Sequence, residues 1–288
     1  MRASVLLRRV FWALIFSLVA VGSVAQDTRA QHFVPEVGQR GKDVIWVPTP
    51  QALVDRMLNL AKVTPKDYVI DLGSGDGRTV IAAVKRGARA LGIEYNPEMV
   101  ELSHRRAEEA GVGDKARFIK GDIFKTDFSR ASVITLFLLP DVNLKLRPKL
   151  LDMRPGTRVV SNSFTMAEWQ ADEVATASRE KGCTSYCTAH LWIVPAKVAG
   201  TWQMGDGEFT LKQKFQMISG SLKIGSKTSL VTGGRLRGDE IRFSAGGAVY
   251  TGRVRGDRIE GTVKSGIRAR LWKARRDVRS KLIGATRD

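Results

Sequence analysis

A glycine-rich string in the first third of the chain, YVIDLGSGDGR, has the residue types and spacing of a ligand-binding turn. A short apolar run ends at Asp71, and three glycines follow at alternate positions, Gly73, Gly75 and Gly77. Glycines at this point let a buried strand turn sharply into a helix with its main chain open to a ligand. Arg78 stands where the dinucleotide fingerprint G-x-G-x-x-G needs a glycine. The string alone therefore leaves a purely steric turn and a binding loop both open.

Two later apolar runs end in acidic residues that could bind a nucleoside. The run 90–94 ends at Glu94, where a doubly wound sheet places an acceptor for both ribose hydroxyls. The run 116–120 leads into Asp122, placed to accept from an adenine amine, and Ile123, an apolar neighbour for the ring. Because no G-K-[ST] follows the glycines, a nucleoside triphosphate is disfavoured. The predicted ligand is adenosine-like and carries little negative charge.

These strings resemble those of the class I S-adenosylmethionine-dependent methyltransferases. The matching stretches are 71–78, 92–97 and 121–123. More narrowly, the DLGSGDGR string, the E-x-N-P that follows the second strand, and the VPTP at 47–50 resemble the seven-stranded, non-SET protein-lysine methyltransferases of the mitochondrial adenine-translocase and ATP-synthase type and their bacterial relatives. The resemblance covers roughly residues 44–170. It is specific for the cofactor and only suggestive for the substrate.

The resemblance implies S-adenosylmethionine as the cofactor and no metal. Asp71 and the loop amides would hold the methionine end, Glu94 the ribose and Asp122 the adenine. Thr49 suits either a helix cap or a lid over the cofactor. The predicted cofactor-binding residues are Thr49, Asp71, Gly73, Ser74, Gly75, Gly77, Glu94, Tyr95, Asp122 and Ile123.

Transfer from a sulfonium depends mainly on positioning and on the protonation state of the nucleophile, because the methyl group is already activated. A lysine acceptor must arrive neutral, and an apolar channel favours this by lowering its pKa. Pro140, Asp141 and Asn143 follow the fourth strand and are predicted to line that channel, although Asp141 could instead cap the next helix. The chain lacks the Asn-Pro-Pro-Tyr string of amino-group methylation, which disfavours nucleic acid and glutamine as acceptors.

Strand and helix patterns alternate up to about residue 195 and predict an α/β fold with a doubly wound, Rossmann-like parallel sheet. Helices are predicted over 50–61, 79–86, 97–110 and 145–151, and the last strands within 183–194. Four tryptophans are predicted to be core or interface residues rather than stacking platforms: Trp46, Trp169, Trp192 and Trp202.

After Pro195, short alternating stretches separated by glycines predict a small antiparallel β domain, a meander closing into a barrel or a curled sheet. Seven strands are predicted, and Gly-Asp pairs at 238–239 and 256–257 mark hairpin turns. The predicted organisation is a linker over 26–43, a methyltransferase domain over 44–195, the β domain over 196–274 and a basic tail over 275–288.

Residues 1–25 have the features of a signal peptide. Arginines precede an uncharged run, and the small residues at 23–25 suit cleavage before Gln26. An uncleaved membrane anchor is the alternative, and it would be the protein's only attachment to a membrane. Both predict a periplasmic protein. In an oxidising compartment Cys183 and Cys187 are predicted to form a disulfide, with two packed thiols as the alternative.

The net charge of +18 is concentrated at the C-terminal end of the chain. Residues 196–288 hold 20 of the 47 Lys and Arg residues but only 8 of the 29 Asp and Glu residues. Such asymmetry suggests an anionic surface or envelope component as a partner, while solvated arginines that keep the protein soluble are the alternative. Nucleic acid is disfavoured by the predicted export and by the absence of an aromatic platform.

Two functions remain open from the sequence. The first is an exported methyltransferase that acts on a protein or a small-molecule nucleophile. The second is a non-catalytic protein that binds a nucleoside or a polyanion and works through its basic β domain.

Overall fold

A computed structural model describes residues 33–205 and 207–277, which belong to one compact unit. The predicted signal peptide, its cleavage site and most of the predicted basic tail lie outside the described residues. Within the described part of the chain, no helix has the length and hydropathy of a membrane span.

Seven strands form a sheet that carries the glycine-rich string. They are β1 (Tyr68–Leu72), β2 (Arg89–Glu94), β3 (Ala116–Lys120), β4 (Val133–Leu136), β5 (Arg158–Asn162), β6 (Glu173–Thr176) and β7 (Thr188–Ile193). Their order is β3-β2-β1-β4-β5-β7-β6, with β1 to β5 parallel and β7 antiparallel to both neighbours. The doubly wound fold is therefore confirmed. Its order reverses between β1 and β4, and such a switch point is where open α/β sheets bind ligands.

Four helices cover the sheet, namely α1 (Gln51–Leu60), α2 (Arg78–Lys85), α3 (Pro97–Glu109) and α4 (Pro140–Leu151). The start of α3 follows from its sequence, because the Asn96 side chain accepts from the Glu98 N–H at 2.9 Å and Pro97 occupies the first turn. The prediction for α4 was wrong at its start. The helix begins at Pro140 rather than at 145, since a proline needs no N–H partner in a first turn.

A closed antiparallel barrel of eight strands follows the sheet in the chain. The strands are β8 (Gly200–Met204), β9 (Gly207–Lys214), β10 (Met217–Ile224), β11 (Lys227–Arg237), β12 (Glu240–Ala245), β13 (Ala248–Arg255), β14 (Arg258–Ser265) and β15 (Arg268–Arg276). Both Gly-Asp pairs lie in hairpin turns as predicted. No sequence pattern predicted β15, which closes the barrel by pairing with β14 and β8. Nor was β6 predicted, which lies before the region expected to hold the last strands.

The barrel is joined to the sheet at the end of the molecule away from the cofactor loops. Gly238, in the β11–β12 turn, lies against Gly156 immediately before β5. Gln216 Nε2 donates to a main-chain carbonyl of the 166–172 loop at 2.7 Å. Arg235 pairs with the fully enclosed carboxylate of Asp172 at 2.7 Å. The carboxyl ends of the parallel strands are therefore left open.

The predicted disulfide forms between Cys183 and Cys187 in the loop before β7. Cys183 is buried in the core between the sheet and its helices, so the bond anchors this loop to the domain. Trp169, Trp192 and Trp202 are fully buried, which confirms the prediction for these three tryptophans.

Candidate active site

The glycine loop after β1 adopts a conformation that side chains would obstruct. Gly73, Gly75 and Gly77 all have positive φ, at 76°, 53° and 80°. A Cβ on Gly77 would lie 2.8 Å from the Phe118 ring, and one on Gly75 would lie 2.8 Å from the indole nitrogen of Trp46. These distances are shorter than van der Waals contact, so close approach as well as backbone conformation requires glycine here.

Glu94, at the end of β2, fixes the shape of that loop. Its carboxylate accepts three main-chain N–H groups: Gly75 at 2.9 Å, Tyr95 at 2.8 Å and Asn96 at 3.0 Å. A carboxylate has about four acceptor positions, so at least one remains for a ligand hydroxyl. Glu94 lines the cavity beside the loop, as does Tyr95.

Asp71 is the buried anion of the site. It ends the apolar run of β1 and accepts from the Thr135 hydroxyl at 2.6 Å, across the switch point between β1 and β4. Burial raises the pKa of Asp71 to about 7, although hydrogen bonds from Thr135 and Thr79 oppose the rise. The group is therefore poised to gain a negative charge when a cation binds beside it.

Asp122, in the loop after β3, is held by two partners. It accepts from the Phe124 N–H at 2.9 Å and from Lys42 Nζ at 3.0 Å. The Lys42 ammonium also lies 5.4 Å from the Tyr95 ring centroid and 5.5 Å from that of Phe124. The hydrogen bond from Lys42 holds the pKa of Asp122 below its usual value. A lysine thus occupies the surroundings predicted for adenine.

Lys42 belongs to a segment, residues 39–49, that lies over the cofactor loops and that we call the strap. Its residues line one wall of a cavity of about 110 Å³, and Asp71, Ser74, Glu94 and Asp122 line the others. Trp46 lies against Gly75 in this wall, so the prediction that it is a core or interface residue was wrong. The VPTP string was the only sequence signal for the strap.

A buried ion-pair cluster, which no sequence pattern indicated, anchors the strap. Asp76 is almost fully enclosed and pairs with Arg78 and Arg106. Arg78 donates to the Thr49 carbonyl at 2.9 Å, and the Thr49 hydroxyl accepts from Asn162 at 3.2 Å. Although burial opposes it, the two arginines hold the pKa of Asp76 below its ordinary value. Thr49 is thus part of the strap and of the cavity wall.

Ser74 carries an unsatisfied group in this cavity. Its hydroxyl is buried and has no hydrogen-bond partner in the described part of the chain. Buried polar groups are usually paired, so an unpaired one in a cavity wall indicates a ligand or water partner. Ile123 lines the same cavity. All ten residues predicted to bind the cofactor except Gly77 line it, and Gly77 shapes the loop from behind.

The three residues predicted to line the acceptor channel lie outside the cofactor cavity, two of them exposed and one buried. Pro140 and Asp141 are exposed in the first turn of α4. Asn143 is fully buried and donates to the Phe164 and Thr165 carbonyls at 3.4 Å, so it supports the loop after β5. None of the three lines the cofactor cavity. Their catalytic roles stay predictions.

An aromatic cluster lies between the cofactor cavity and solvent, and no sequence pattern indicated it. Phe137 lines the cavity. Its ring centroid is 6.0 Å from that of Phe164 and 5.2 Å from that of Tyr186. Tyr186 is 44% exposed. We call these three residues the aromatic portal. Within the described residues, no group of side chains could hold a metal ion.

Comparison with known proteins agrees with this site. The profile of the ANTKMT methyltransferase domain matches residues 71–173. The protein-lysine N-methyltransferase of Saccharolobus islandicus (strain REY15A) is 42% identical over 154 residues, which cover 52% of this chain and 94% of that protein. The chain belongs to this methyltransferase family. The resemblance stated from the sequence motifs is thereby confirmed, and the non-catalytic alternative is not favoured.

Other similar proteins match this chain over fewer residues or superpose on only part of its structure. A human lysine N-methyltransferase named for an ATP synthase subunit is 35% identical over 130 residues, covering 45% of this chain and 55% of that protein. The chain thus spans about half the length of this human relative. An RNA methyltransferase from Salinibacter ruber, solved with S-adenosylhomocysteine, has 46% identity and a TM-score of 0.49, covering 53% of this chain and 96% of its own. A DNA methylase profile matches residues 32–105.

The methyltransferase uses S-adenosylmethionine, and the residues present fit that cofactor. The three predicted carboxylates and an unpaired hydroxyl line the cavity, a donor and acceptor set suited to a ligand with a cationic amino acid end and a nucleoside end. When bound, the cofactor supplies an activated methyl group. Asp71 would pair with the cationic end, Glu94 would accept from the ribose, and Asp122 would accept from the base once Lys42 has moved aside.

Proposed function

We propose that this methyltransferase transfers its methyl group to the ε-amino group of a lysine in a protein. The observation that carries the proposal is the aromatic portal, whose rings extend from Phe137 in the cavity wall to the exposed Tyr186. Support also comes from the similar proteins whose names specify lysine as the acceptor.

The portal has the properties that a lysine acceptor needs. Aromatic faces attract an ammonium or a methylammonium group without forming an ion pair that would keep it charged. The apolar surroundings lower the pKa of an entering amine, because burial disfavours its charged form. Because the three rings extend from the wall of the cofactor cavity to the exposed Tyr186, a long, unbranched side chain would lie along them with its amine at the cavity.

The loop that carries Tyr186 is constrained. Tyr186 has a φ of 53°, a backbone conformation that residues other than glycine rarely adopt, and it lies between the two bonded cysteines. Such strain costs on the order of 1–3 kcal/mol and persists only where the surroundings impose it. The disulfide therefore supports a role for this loop in presenting Tyr186 at the surface.

Nucleic acid is the competing acceptor, and the DNA methylase profile raises it. That match ends at residue 105, before β4 and before every residue of the portal. It thus concerns the cofactor half of the domain.

The test is methyl transfer from radiolabelled S-adenosylmethionine to protein and RNA fractions, followed by amino acid analysis of the labelled protein. We expect label in methyllysine. Tyr186→Ala should raise the acceptor KM about fivefold to thirtyfold and leave cofactor affinity unchanged, since aromatic contacts with a cation contribute about 1–2 kcal/mol. Tyr186→Phe should retain activity. Label confined to RNA, or an unchanged acceptor KM in Tyr186→Ala, would contradict the proposal.

We also propose that the enzyme works in the periplasm after export. The disulfide supports an oxidising compartment, because such bonds are rare in the cytoplasm of mesophiles. The test is fractionation of cells that express the full chain, with mass measurement of the mature N-terminus and alkylation of free thiols. A cytoplasmic protein with an intact N-terminus and two free cysteines would refute this.

A further inference from the structure

The end of the barrel that faces away from the sheet is open. The turns that follow β10, β12 and β14 surround a cavity of about 720 Å³, which we call the barrel mouth. Its wall includes Leu222, Ala248 and Val263, whose side chains belong to the barrel core. The interior of an eight-stranded barrel is just wide enough to be filled by side chains or to hold one small ligand. The volume of the barrel mouth lies within the usual range for ligand pockets, about 300–1,000 Å³.

Strand alternation directs cations into the barrel mouth. In β15, Trp272 and Ala274 are buried in the barrel core, so Arg268 and Arg270 lie on the same inner face. In β11, Val231 is buried, and Lys227 lies on that face in the same way. Lys227, Arg268 and Arg270 accordingly line the cavity. All three cations are exposed, so they lie at the rim of the cavity, above the apolar side chains that fill the barrel core.

No carboxylate balances these cations among the described residues that line the cavity. On the outer face the arrangement is different. Arg253 pairs with Asp239 and Glu240, and Lys273 pairs with Glu260. The inner cations form no ion pair within the described part of the chain, which leaves them available to an anionic ligand.

A polar side chain inside the barrel mouth points to the same kind of ligand. Tyr250 is 3% exposed and lines the cavity beside Arg270. Its hydroxyl donates to no acceptor within residues 33–205 and 207–277. Its ring belongs to the aromatic cluster of the barrel core, with its centroid 5.0 Å from that of Phe243 and 5.3 Å from that of Trp272. The hydroxyl is thus fixed in position and free to donate to a bound group.

We propose that the barrel mouth binds an amphipathic organic anion, distinct from the cofactor and from the methyl acceptor. Its apolar chain lies against Leu222, Ala248 and Val263. Its carboxylate or phosphate accepts from Arg268 and Arg270 at the rim, with the Tyr250 hydroxyl as a further donor. The anion can come from a free amphiphile or from a lipid headgroup, since both present the same chemistry.

The test is calorimetric titration of the purified full chain with decanoate and with decyl phosphate, each as monomers, with decanamide as the uncharged probe of equal length. We expect saturable binding of both anions with one site and binding of decanamide at least about tenfold weaker, because hydrogen bonds to charged groups contribute about 1.5–3 kcal/mol. Equal affinity for decanamide would overturn the proposal, as would no binding of either anion.

Variants locate the site. Arg268→Gln/Arg270→Gln should weaken decanoate binding at least about tenfold, while Arg255→Gln/Arg258→Gln, exposed at the opposite end of the barrel, should leave it unchanged. Ala248→Phe keeps every charge and fills the cavity, so it should also weaken decanoate binding and serves if the arginine variant fails to fold. Equal losses in both arginine pairs would contradict a defined site.

Vesicles distinguish the two sources of the anion. If decanoate binds and also reduces the amount of protein that sediments with phosphatidylglycerol vesicles, a lipid headgroup uses this site. Decanoate binding without vesicle binding would indicate a free amphiphile. Vesicle binding that survives Arg268→Gln/Arg270→Gln, with no decanoate binding, would overturn the proposal in favour of a general surface attraction.

Discussion

The cofactor cavity and the barrel mouth are concave sites of different charge, built in different ways. Carboxylates outnumber cations in the wall of the cofactor cavity, whereas three cations and no described carboxylate line the barrel mouth. In the first, glycine loops and main-chain hydrogen bonds fix the acids that the sequence predicted. In the second, strand alternation directs long side chains inward. The difference suggests that the first site requires a fixed geometry and that the second depends mainly on charge and volume.

The largest expected effect comes from Gly77→Ala, which tests the rigidity of the cofactor loop. The new Cβ would meet Phe118 and Ser103 at 2.8 and 2.9 Å, in a conformation with a φ of 80°. We expect the free energy of unfolding to fall by about 2–4 kcal/mol, from strain and overpacking together, and cofactor affinity to fall as well. Thermal melts and calorimetric titration with S-adenosylhomocysteine measure both.

Gly111→Ala is the matched control for Gly77→Ala. Gly111 has a φ of 70°, but nothing lies within 4 Å of the added Cβ. Its cost should be limited to backbone strain, about 1 kcal/mol. Equal costs at the two positions would show that close approach does not define the loop.

Asp71→Asn tests the charge of the cofactor cavity. Because the pKa of Asp71 is raised to about 7, wild-type affinity for S-adenosylmethionine should fall as pH drops below 7, by up to about tenfold per unit. The Asp71→Asn variant should bind weakly and without this pH dependence. The stability of the ligand-free wild type should change the opposite way, rising as pH falls from 7 towards 4, since the folded state holds a proton that the unfolded state releases.

Arg235→Ala tests whether the two sites are independent. It leaves the enclosed Asp172 carboxylate without its cation, so the free energy of unfolding should fall by about 1–3 kcal/mol. Cofactor affinity should not change, because the contact between Arg235 and Asp172 lies away from the carboxyl ends of the parallel strands. Denaturant titration and calorimetry provide the measurements. A loss of cofactor affinity here would show that the barrel supports the cavity.

The smallest expected effect is that of Lys42→Ala, which removes the cation paired with Asp122 in the cofactor cavity. Since Lys42 must leave Asp122 for the base to bind, the variant should bind S-adenosylhomocysteine about two- to fivefold more tightly, the range expected for a partly exposed ion pair. Added salt should reduce the difference from wild type. Weaker binding would show instead that Lys42 contributes to cofactor binding.

Much of the cofactor site could be predicted from the sequence, because its parts are local. Each of Asp71, Glu94 and Asp122 directly ends or follows an apolar run, and parallel strands bring their carboxyl ends to one edge of a sheet. The positions of Asn96 and Pro97 predicted the start of α3 for the same reason. Where local patterns are weak, as before Lys145 and in the basic stretch of β15, elements were missed.

The doubly wound sheet, the glycine loop and the class of ligand that binds there could all be predicted from local sequence patterns. What covers and surrounds that loop depends on contacts between distant parts of the chain. Lys42 meets Asp122, and Arg158 meets Asp67, across long stretches of chain that no periodicity relates. The inward direction of Arg270 likewise depends on the closure of the barrel, since a strand has two faces and only its partners determine which one is inside.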